Sequence, residues 1–283
     1  MNSNVTATPV VDDVRMVCPG CGPTVAGIRL ITDEYRILEC PACGVAVTDP
    51  PAYVSSASYD ASPNLAAGYV AVESLGRHYA RQMLSWLSPY CGAGRLLDVG
   101  CSIGVLVDEA AKLGFQVQGI DLDRNAIAYG KGKGRPLHQC AIEDWPEGDY
   151  DALCLMHTLE HLSDPVKFLT DCVRKLRTGG ILIAAVPCHC GLHPRLFDRR
   201  WYGWQPKQHY LHYSRVGLSK VFATAGLRPI KSWQNSMDHI PRRKHICGIK
   251  SLVLSLAGFC VATFGGWIGQ GDQLIVVGVK TCA

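Results

Sequence analysis

Four cysteines in two knuckles and a scatter of histidines carry the most distinctive chemistry in this chain. Cys18-Pro-Gly-Cys21 and Cys40-Pro-Ala-Cys43 are CxxC pairs with 18 residues between them, the ligand spacing of a zinc ribbon. Proline and glycine occupy the turn positions of both knuckles, as a tight metal-binding turn requires. A ribbon of this size cannot build a core, so the metal is expected to supply its folding energy. Four regions near the expected strand ends supply histidines: His157 with His161 in "HTLEH", then His189, His193, and His209 with His212. A histidine near its ordinary pKa takes a proton from a phenol or alcohol better than a lone carboxylate does.

The elements that must position these groups centre on Arg95 to Asp123, "RLLDVGCSIGVLVDEAAKLGFQVQGIDLD". Leu96, Leu97 and Asp98-Val99-Gly100 form a short apolar strand and its end. Gly100 and Gly104 flank a turn where backbone approaches a ligand without Cβ interference. Val105 to Leu113 has helical apolar spacing, and Gly114 ends it as a C′ glycine. Phe115 to Ile120 alternates as a strand, and Asp121 follows at its carboxyl end. This is one βαβ half of a nucleotide-binding sheet, with an acid placed to accept from ribose hydroxyls.

Apolar spacing at Tyr69, Val72, Leu75, Tyr79, Met83 and Leu87 predicts one helix over 65–87, set to lie over the cofactor pocket. Further strands are expected near Leu137–Ala141, Tyr150–Met156, Ile181–Val186, Gly226–Ser232 and Gln273–Val279, with helices over Arg124–Tyr129, Pro165–Leu176 and Leu218–Ala225. Thr178–Gly180 is expected as a turn. Strands alternating with helices give an α/β fold, Rossmann-like, with a mostly parallel sheet that binds ligands beyond the strands' carboxyl ends. The expected organisation is a tail and zinc ribbon at 1–48, a linker and lid helix at 49–92, and a binding domain at 93–283 with a hydrophobic insertion at about 246–271.

Composition narrows the class. The 283 residues are 48% hydrophobic and 18% charged, which fits an ordinary folded domain plus an appendage, and a net charge of +4 is too slight to imply nucleic acid. The start lacks a basic, apolar leader, and fourteen cysteines without one point to reduced thiols and a cytoplasmic location.

In order along the chain, "LLDVGCSIG", "GIDLD", Tyr150-Asp151-Ala152-Leu153, "TLEHLSDP", "LRTGGILIAAVP" and "QHYLHYS…GLSKVFATAGL" resemble the class I S-adenosylmethionine-dependent methyltransferases, in particular the ubiquinone-pathway O-methyltransferase-like group and bacterial members with an N-terminal zinc ribbon. The resemblance implies S-adenosylmethionine as cofactor. It implies that Asp98, Gly100, Ser102 and Gly104 cradle the donor's amino-acid part, that Asp121 with Leu122 meets the ribose, and that Ile142 and Met156 line the adenine and the cofactor. Arg81, or failing it Arg77, matches an arginine near the methionine carboxylate. Ala141 stands where many members carry Asp, so backbone and Ile142 packing are expected there. In the ubiquinone-pathway enzymes an acid precedes the Glu-His pair and the set binds a divalent metal. Here His157 takes that place, so a second divalent metal at His157, Glu160 and His161 is expected to be a softer ion, or the set merely ties strand to loop. His209 or His157 is the expected general base, with His161 beside them. "PCHCGLHP" (Cys188, His189, Cys190, His193) fits no common metal spacing and is expected to line the pocket.

A dinucleotide dehydrogenase is the structural rival, but Ser102 stands where its second turn glycine belongs. The expected function is methylation of a small molecule such as a natural product, sugar, quinone or lipid-linked compound, on oxygen. The alternatives are an RNA-modifying enzyme docking through its ribbon, and a cofactor-binding partner subunit without turnover. Nucleic acid is disfavoured because Arg29 and Arg36 are the ribbon's only bases between Cys18 and Cys43, offset by Asp33, Glu34 and Glu39. The uncharged stretch 251–271 is expected to be a lid or packed hairpin. Arg242, Arg243 and Lys244 before it leave peripheral membrane contact through 242–271 as the second reading.

Overall fold

The computed structural model describes residues 14–32, 34–49, 63–236 and 249–281. The N-terminal tail, nearly all of the expected linker, and the basic run at 241–245 lie outside the described residues.

Five short strands make up the N-terminal unit: β1 (Arg15–Cys18), β2 (Gly22–Val25), β3 (Gly27–Ile31), β4 (Arg36–Glu39) and β5 (Ala46–Asp49). Strands β1 and β2 form an antiparallel pair, and β3-β4-β5 form an antiparallel meander. The ribbon does not stand alone. Met16, Cys18, Leu38, Cys40, Cys43 and Val45 are buried in the same apolar cluster as Leu153, Leu182 and Phe222 of the main domain. The core that a short ribbon cannot build is thus supplied by its neighbour.

Between the ribbon and the main sheet the expected single helix is two: α1 (Pro63–Ala71) and α2 (Glu73–Leu87), parted at Val72. Val72 has left helical geometry, with ψ at +21°. Ala80, Met83, Leu84 and Leu87 are buried on one face of α2, the three-and-four spacing of an amphipathic helix. That face packs on the helix Val105–Lys112, while α1 leans on the helix Arg124–Gly132.

The main domain runs β6 (Arg95–Val99), α3 (Val105–Lys112), β7 (Gln116–Asp121), α4 (Arg124–Gly132), β8 (Leu137–Gln139), β9 (Tyr150–Met156), α5 (Pro165–Lys175), β10 (Leu176–Pro187), α6 (Leu192–Phe197), β11 (Leu211–His212), α7 (Arg215–Thr224), β12 (Leu227–Asn235), α8 (Ile249–Trp267) and β13 (Gln273–Lys280). Its seven-stranded sheet has the order β12-β13-β10-β9-β6-β7-β8. The pairings among β6 to β10 are parallel, and β13 runs antiparallel to both β10 and β12. Ala152 to Leu155 in β9 are all fully buried, which a central strand covered on both faces demands. Helix starts follow local chemistry: the Asp123 carboxylate caps α4 by accepting from the Asn125 and Ala126 amides, Asp164 caps α5 ahead of Pro165, and Ser214 caps α7.

Two expectations give way. Residues 178–180 are not a turn between helix and strand; β10 begins at Leu176 and carries an irregularity before Ile181. The uncharged segment is not a hairpin but the 19-residue helix α8. No helix among the described residues is long and apolar enough to cross a membrane.

Candidate functional site

The glycine turn closes over the carboxyl ends of β6 and β7. The amides of Gly100 and Cys101 both donate to the Ile120 carbonyl, at 2.9 and 3.1 Å. Gly100, Ser102 and Gly104 take left-handed φ values of +79°, +48° and +78°. A Cβ on Gly100 would stand 2.5 Å from Thr158 Oγ1, and one on Gly104 2.7 Å from Leu137. Both glycines are therefore required by the protein's own packing as well as by their backbone angles. Arg135 supports the turn from beneath, donating to the Ile103 carbonyl at 2.6 Å.

Asp121 is held by backbone on both oxygens. Ser102 N–H donates to Oδ2 at 2.7 Å and Asp123 N–H to Oδ1 at 2.8 Å. Burial raises the pKa of this carboxyl, opposed by those two amide bonds. Asp98 lies buried beside it, and no described residue hydrogen-bonds its carboxylate. Burial, with the Asp121 charge added, pushes Asp98 up to about 8. Ser102 Oγ is buried with no partner among the described residues. Two clustered carboxylates and an orphaned hydroxyl make a polar cluster at the strand ends that fits a cationic ligand carrying hydroxyl groups. Leu122 stands 41% exposed next to Asp121, Ile142 is buried, and Met156 is half-buried at the end of β9.

Arg81 and Arg77 are placed differently from expectation. Arg81 Nε donates to Glu109 Oε2 at 2.7 Å and its side chain is 64% exposed. Arg77 binds Glu109, Glu73 and Asp108 at 2.7 to 2.9 Å. The buried carboxylate of Glu109 draws in both guanidiniums and Lys112, so the pair ties α2 to α3.

On the other side of the turn, His157 begins the loop after β9 with φ +56°, a strained value for a non-glycine residue. Thr158 Oγ1 donates to the Val99 carbonyl at 3.2 Å, which seats this loop against the glycine turn. His157 Nδ1 lies 3.0 Å from Glu160 Oε1, and its Nε2 lies 3.1 Å from Gln273 Nε2. Nδ1 therefore carries the proton and donates to the carboxylate, leaving the Nε2 lone pair to accept from the amide. Glu160 is buried; burial alone would raise its pKa, but the His157 bond, and the positive charge of His157, His161 and His209 whenever they are protonated, hold it at about 2.

The remaining histidines divide into two groups. His161 Nδ1 donates to the Gln208 carbonyl at 2.9 Å, and His209 Nδ1 donates to the Gly203 carbonyl at 2.8 Å. Both rings thus present a bare Nε2. One ligand atom each from Glu160, His161 and His209 lies within 4.8 Å of the others, while Glu160 Oε2 is buried without a partner. This corrects the expected set: His209 replaces His157, whose ring is turned toward Gln273. Imidazoles oriented by carbonyls around a buried carboxylate suit a divalent cation such as Zn2+ or Fe2+. His189 instead binds the Gly44 carbonyl at 2.8 Å, and His193 binds Asp272 at 3.2 Å. The "PCHCGLHP" loop joins ribbon to sheet.

The four knuckle cysteines converge, their sulfurs within 4.8 Å of one another. Cys18 and Cys43 Sγ are 3.4 Å apart, and Lys220 Nζ lies 3.3 Å from Cys21 Sγ. Burial raises the Cys18 and Cys43 thiols, so Zn2+ is what would hold them as thiolates. The donor set fits a tetrahedral zinc. Sequence reasoning missed Thr48 and Gln273, which reach the site from distant elements and carry no local motif, and it did not single out Thr158 within HTLEH.

A seven-stranded sheet with a reversed β13 between β12 and β10, a glycine turn between β6 and α3 and an acid at the end of β7 defines a class I S-adenosylmethionine-dependent methyltransferase. A methyltransferase-domain family model matches residues 71–232, more than half of the chain, and the chain belongs to that family. Among curated proteins it is similar to the ubiquinone biosynthesis O-methyltransferase of Thiobacillus denitrificans, 33% identical over 34% of this chain and 47% of the relative. The Nitrobacter winogradskyi protein of the same description is 35% identical over 34% of this chain and 40% of the relative. The matches thus span about half or less of those relatives. Among solved structures, a possible histamine N-methyltransferase from Thermotoga maritima has a TM-score of 0.56 at 18% identity, over 79% of this chain and 98% of the other. Haemonchus contortus phosphoethanolamine N-methyltransferase 2, solved with S-adenosyl-L-methionine, has a TM-score of 0.55 at 17% identity, over 84% and 62%. These likenesses show the fold.

Proposed function

We propose that this protein methylates an oxygen of a small molecule, with His157 as general base. The observation that carries the reading is the His157–Glu160 dyad seated against the glycine turn by Thr158. Asp98 and Ser102 would hold the amino-acid part of S-adenosylmethionine, Asp121 the ribose hydroxyls, and Leu122, Ile142 and Met156 the adenine side. Bound there, the cofactor supplies an electrophilic methyl on a sulfonium. The chain's own task is to align the acceptor hydroxyl and take its proton.

His157 Nε2 is the atom that receives that proton. Glu160 keeps the opposite nitrogen protonated and offsets the charge that develops on the ring. Gln273 donates to the same Nε2 lone pair, so an acceptor hydroxyl takes the place of the amide. Glu160 Oε2, His161 and His209 would hold a divalent cation behind this dyad and fix its orientation. Zn2+ on Cys18, Cys21, Cys40 and Cys43 would be structural.

Docking of RNA through the ribbon is disfavoured by its ion pairs. Arg29 binds Asp198 at 3.1 Å and Glu39 at 3.8 Å, and Arg36 binds Asp49, so the two bases are already partnered. The test is a panel of phenolic, catecholic and sugar acceptors with radiolabelled donor. His157→Gln should lose about 100-fold or more in turnover while binding S-adenosylhomocysteine normally. Full turnover by His157→Gln would overturn the assignment.

A further inference from the structure

From 257 onward, helix α8 is packed inside out. Gly258, Ala262 and Gly265 face the protein: a Cβ on Gly258 would lie 3.5 Å from His193 Nε2, and one on Gly265 3.3 Å from Leu192 Cβ, both on α6. Ala262 is buried, and its carbonyl accepts from Ser236 Oγ at the end of β12. Among the described side chains the aromatic residues of this stretch, and Ile268 just after it, face outward. Phe259 is 39% exposed, Phe264 52%, Trp267 84% and Ile268 40%, and the Phe264 and Trp267 rings lie 6.1 Å apart. A helix that stabilises a core in water has the opposite arrangement, since burying large apolar groups is what drives packing. Small residues at the helix contact and aromatic residues outside are the pattern of helices that meet lipid.

Charge identifies the occupant. From His239 to Gly271 the sequence contains no acid and four permanent cations, Arg242, Arg243, Lys244 and Lys250. A second copy carries the same unbalanced cations and so does not complement them by charge. An anionic lipid surface complements them.

We infer that α8 lies in the plane of an anionic membrane surface, with Phe259, Phe264, Trp267 and Ile268 in the headgroup–acyl boundary and the catalytic domain above it. The helix does not span. Its small-residue face remains on α6 and β12, and α6 follows the loop after β10, at the carboxyl end of the strands where the glycine turn also lies. Docking therefore brings the acceptor side of the protein close to the bilayer and favours acceptors that partition into it.

The experiment uses the full zinc-loaded chain. Co-sedimentation is measured with phosphatidylcholine vesicles and with phosphatidylcholine vesicles containing phosphatidylglycerol, at low and high salt. Pelleting is expected with the phosphatidylglycerol vesicles and should weaken at high salt. A Phe264→Ser/Trp267→Ser variant should pellet at least tenfold less and lose the blue shift of tryptophan fluorescence. Its thermal melt and S-adenosylhomocysteine binding should be unchanged, because neither residue belongs to the donor pocket or the histidine cluster. The result is independent of whether His157 is the base. Three outcomes overturn the inference: no pelleting with either vesicle, equal pelleting by the double variant, or a dimer in light scattering that the double variant dissociates, which would assign this face to a second copy.

Discussion

Thr48 Oγ1 donates to the His209 carbonyl at 2.8 Å and lies 3.0 Å from His212 Nε2. A hydroxyl has one proton to give, so His212 must donate to Thr48 through Nε2–H. Thr48 sits on β5, the strand that follows the second cysteine knuckle, and β5 pairs with β11 at Leu211 and His212. The Tyr210 amide then donates to the Glu160 carbonyl at 2.8 Å. Knuckle, strand, threonine and histidines form one hydrogen-bonded path from the cysteine centre to the backbone of Glu160.

Thr48→Val keeps the shape and removes the hydroxyl. It should cost about 1–3 kcal/mol, since a buried His212 N–H and a buried carbonyl lose their partner. Chemical denaturation reads the loss. Turnover should fall while S-adenosylhomocysteine affinity holds, because the donor pocket lies on other strands. An equal fall in both would break the proposed division between donor and acceptor sides.

Metal removal should act along the same path. Wild-type protein should carry zinc at the four cysteines, and Cys40→Ser should abolish it. A strong chelator should broaden the His209 and His212 imidazole signals in NMR and leave S-adenosylhomocysteine binding in place. Titration of metal-loaded protein with Co2+ should reveal a second, weaker site, lost in Glu160→Gln. Unchanged Co2+ uptake in that variant would remove Glu160, His161 and His209 from consideration as ligands.

Donor binding should release a proton. With Asp98 pushed up to about 8, its carboxyl is mostly protonated at pH 7. A cationic donor favours the ionised form, so affinity should climb from about pH 6 to about pH 8, by at most tenfold per unit, and then level off. Calorimetry in buffers of different ionisation enthalpy measures the released proton directly. Asp98→Asn should weaken binding and abolish the buffer dependence.

His212 is buried, and that burial, with His209 and His189 nearby, holds its pKa well below the ordinary value. The unfolded chain binds a proton at about pH 6.5 and below where the folded chain does not. Stability is therefore full above that pH and lost as pH falls, by up to about 1.4 kcal/mol per unit. Denaturation midpoints between pH 7 and pH 5 give the slope, which His212→Gln should flatten.

Gly100→Ala tests the turn itself. The φ of +79° and a Cβ 2.5 Å from Thr158 Oγ1 predict a loss of about 2 kcal/mol in stability. Donor affinity should drop at least tenfold, because relieving the clash moves the turn or the His157 loop.

The sequence by itself determined whatever rests on neighbours along the chain. The turn from Gly100 to Gly104, the acid at Asp121, the two cysteine knuckles and the burial of β9 follow from short spacings and backbone rules. Patterns over longer stretches were less secure. The apolar spacing of 65–87 does not register the break at Val72, since periodicity continues across it. The uncharged run at 251–271 specifies apolar character but not whether the segment folds as hairpin or helix. Only the tertiary structure decided which histidines act together. His157 and His161 are four residues apart, yet Glu160 holds one ring on Oε1 while the other joins His209, 48 residues further on. Arg81 likewise went to Glu109, because a buried carboxylate attracts whatever cation the helix packing brings within reach. Contacts of this kind are set by the sheet's strand order and by the ribbon's share in a common core, and no local pattern encodes them.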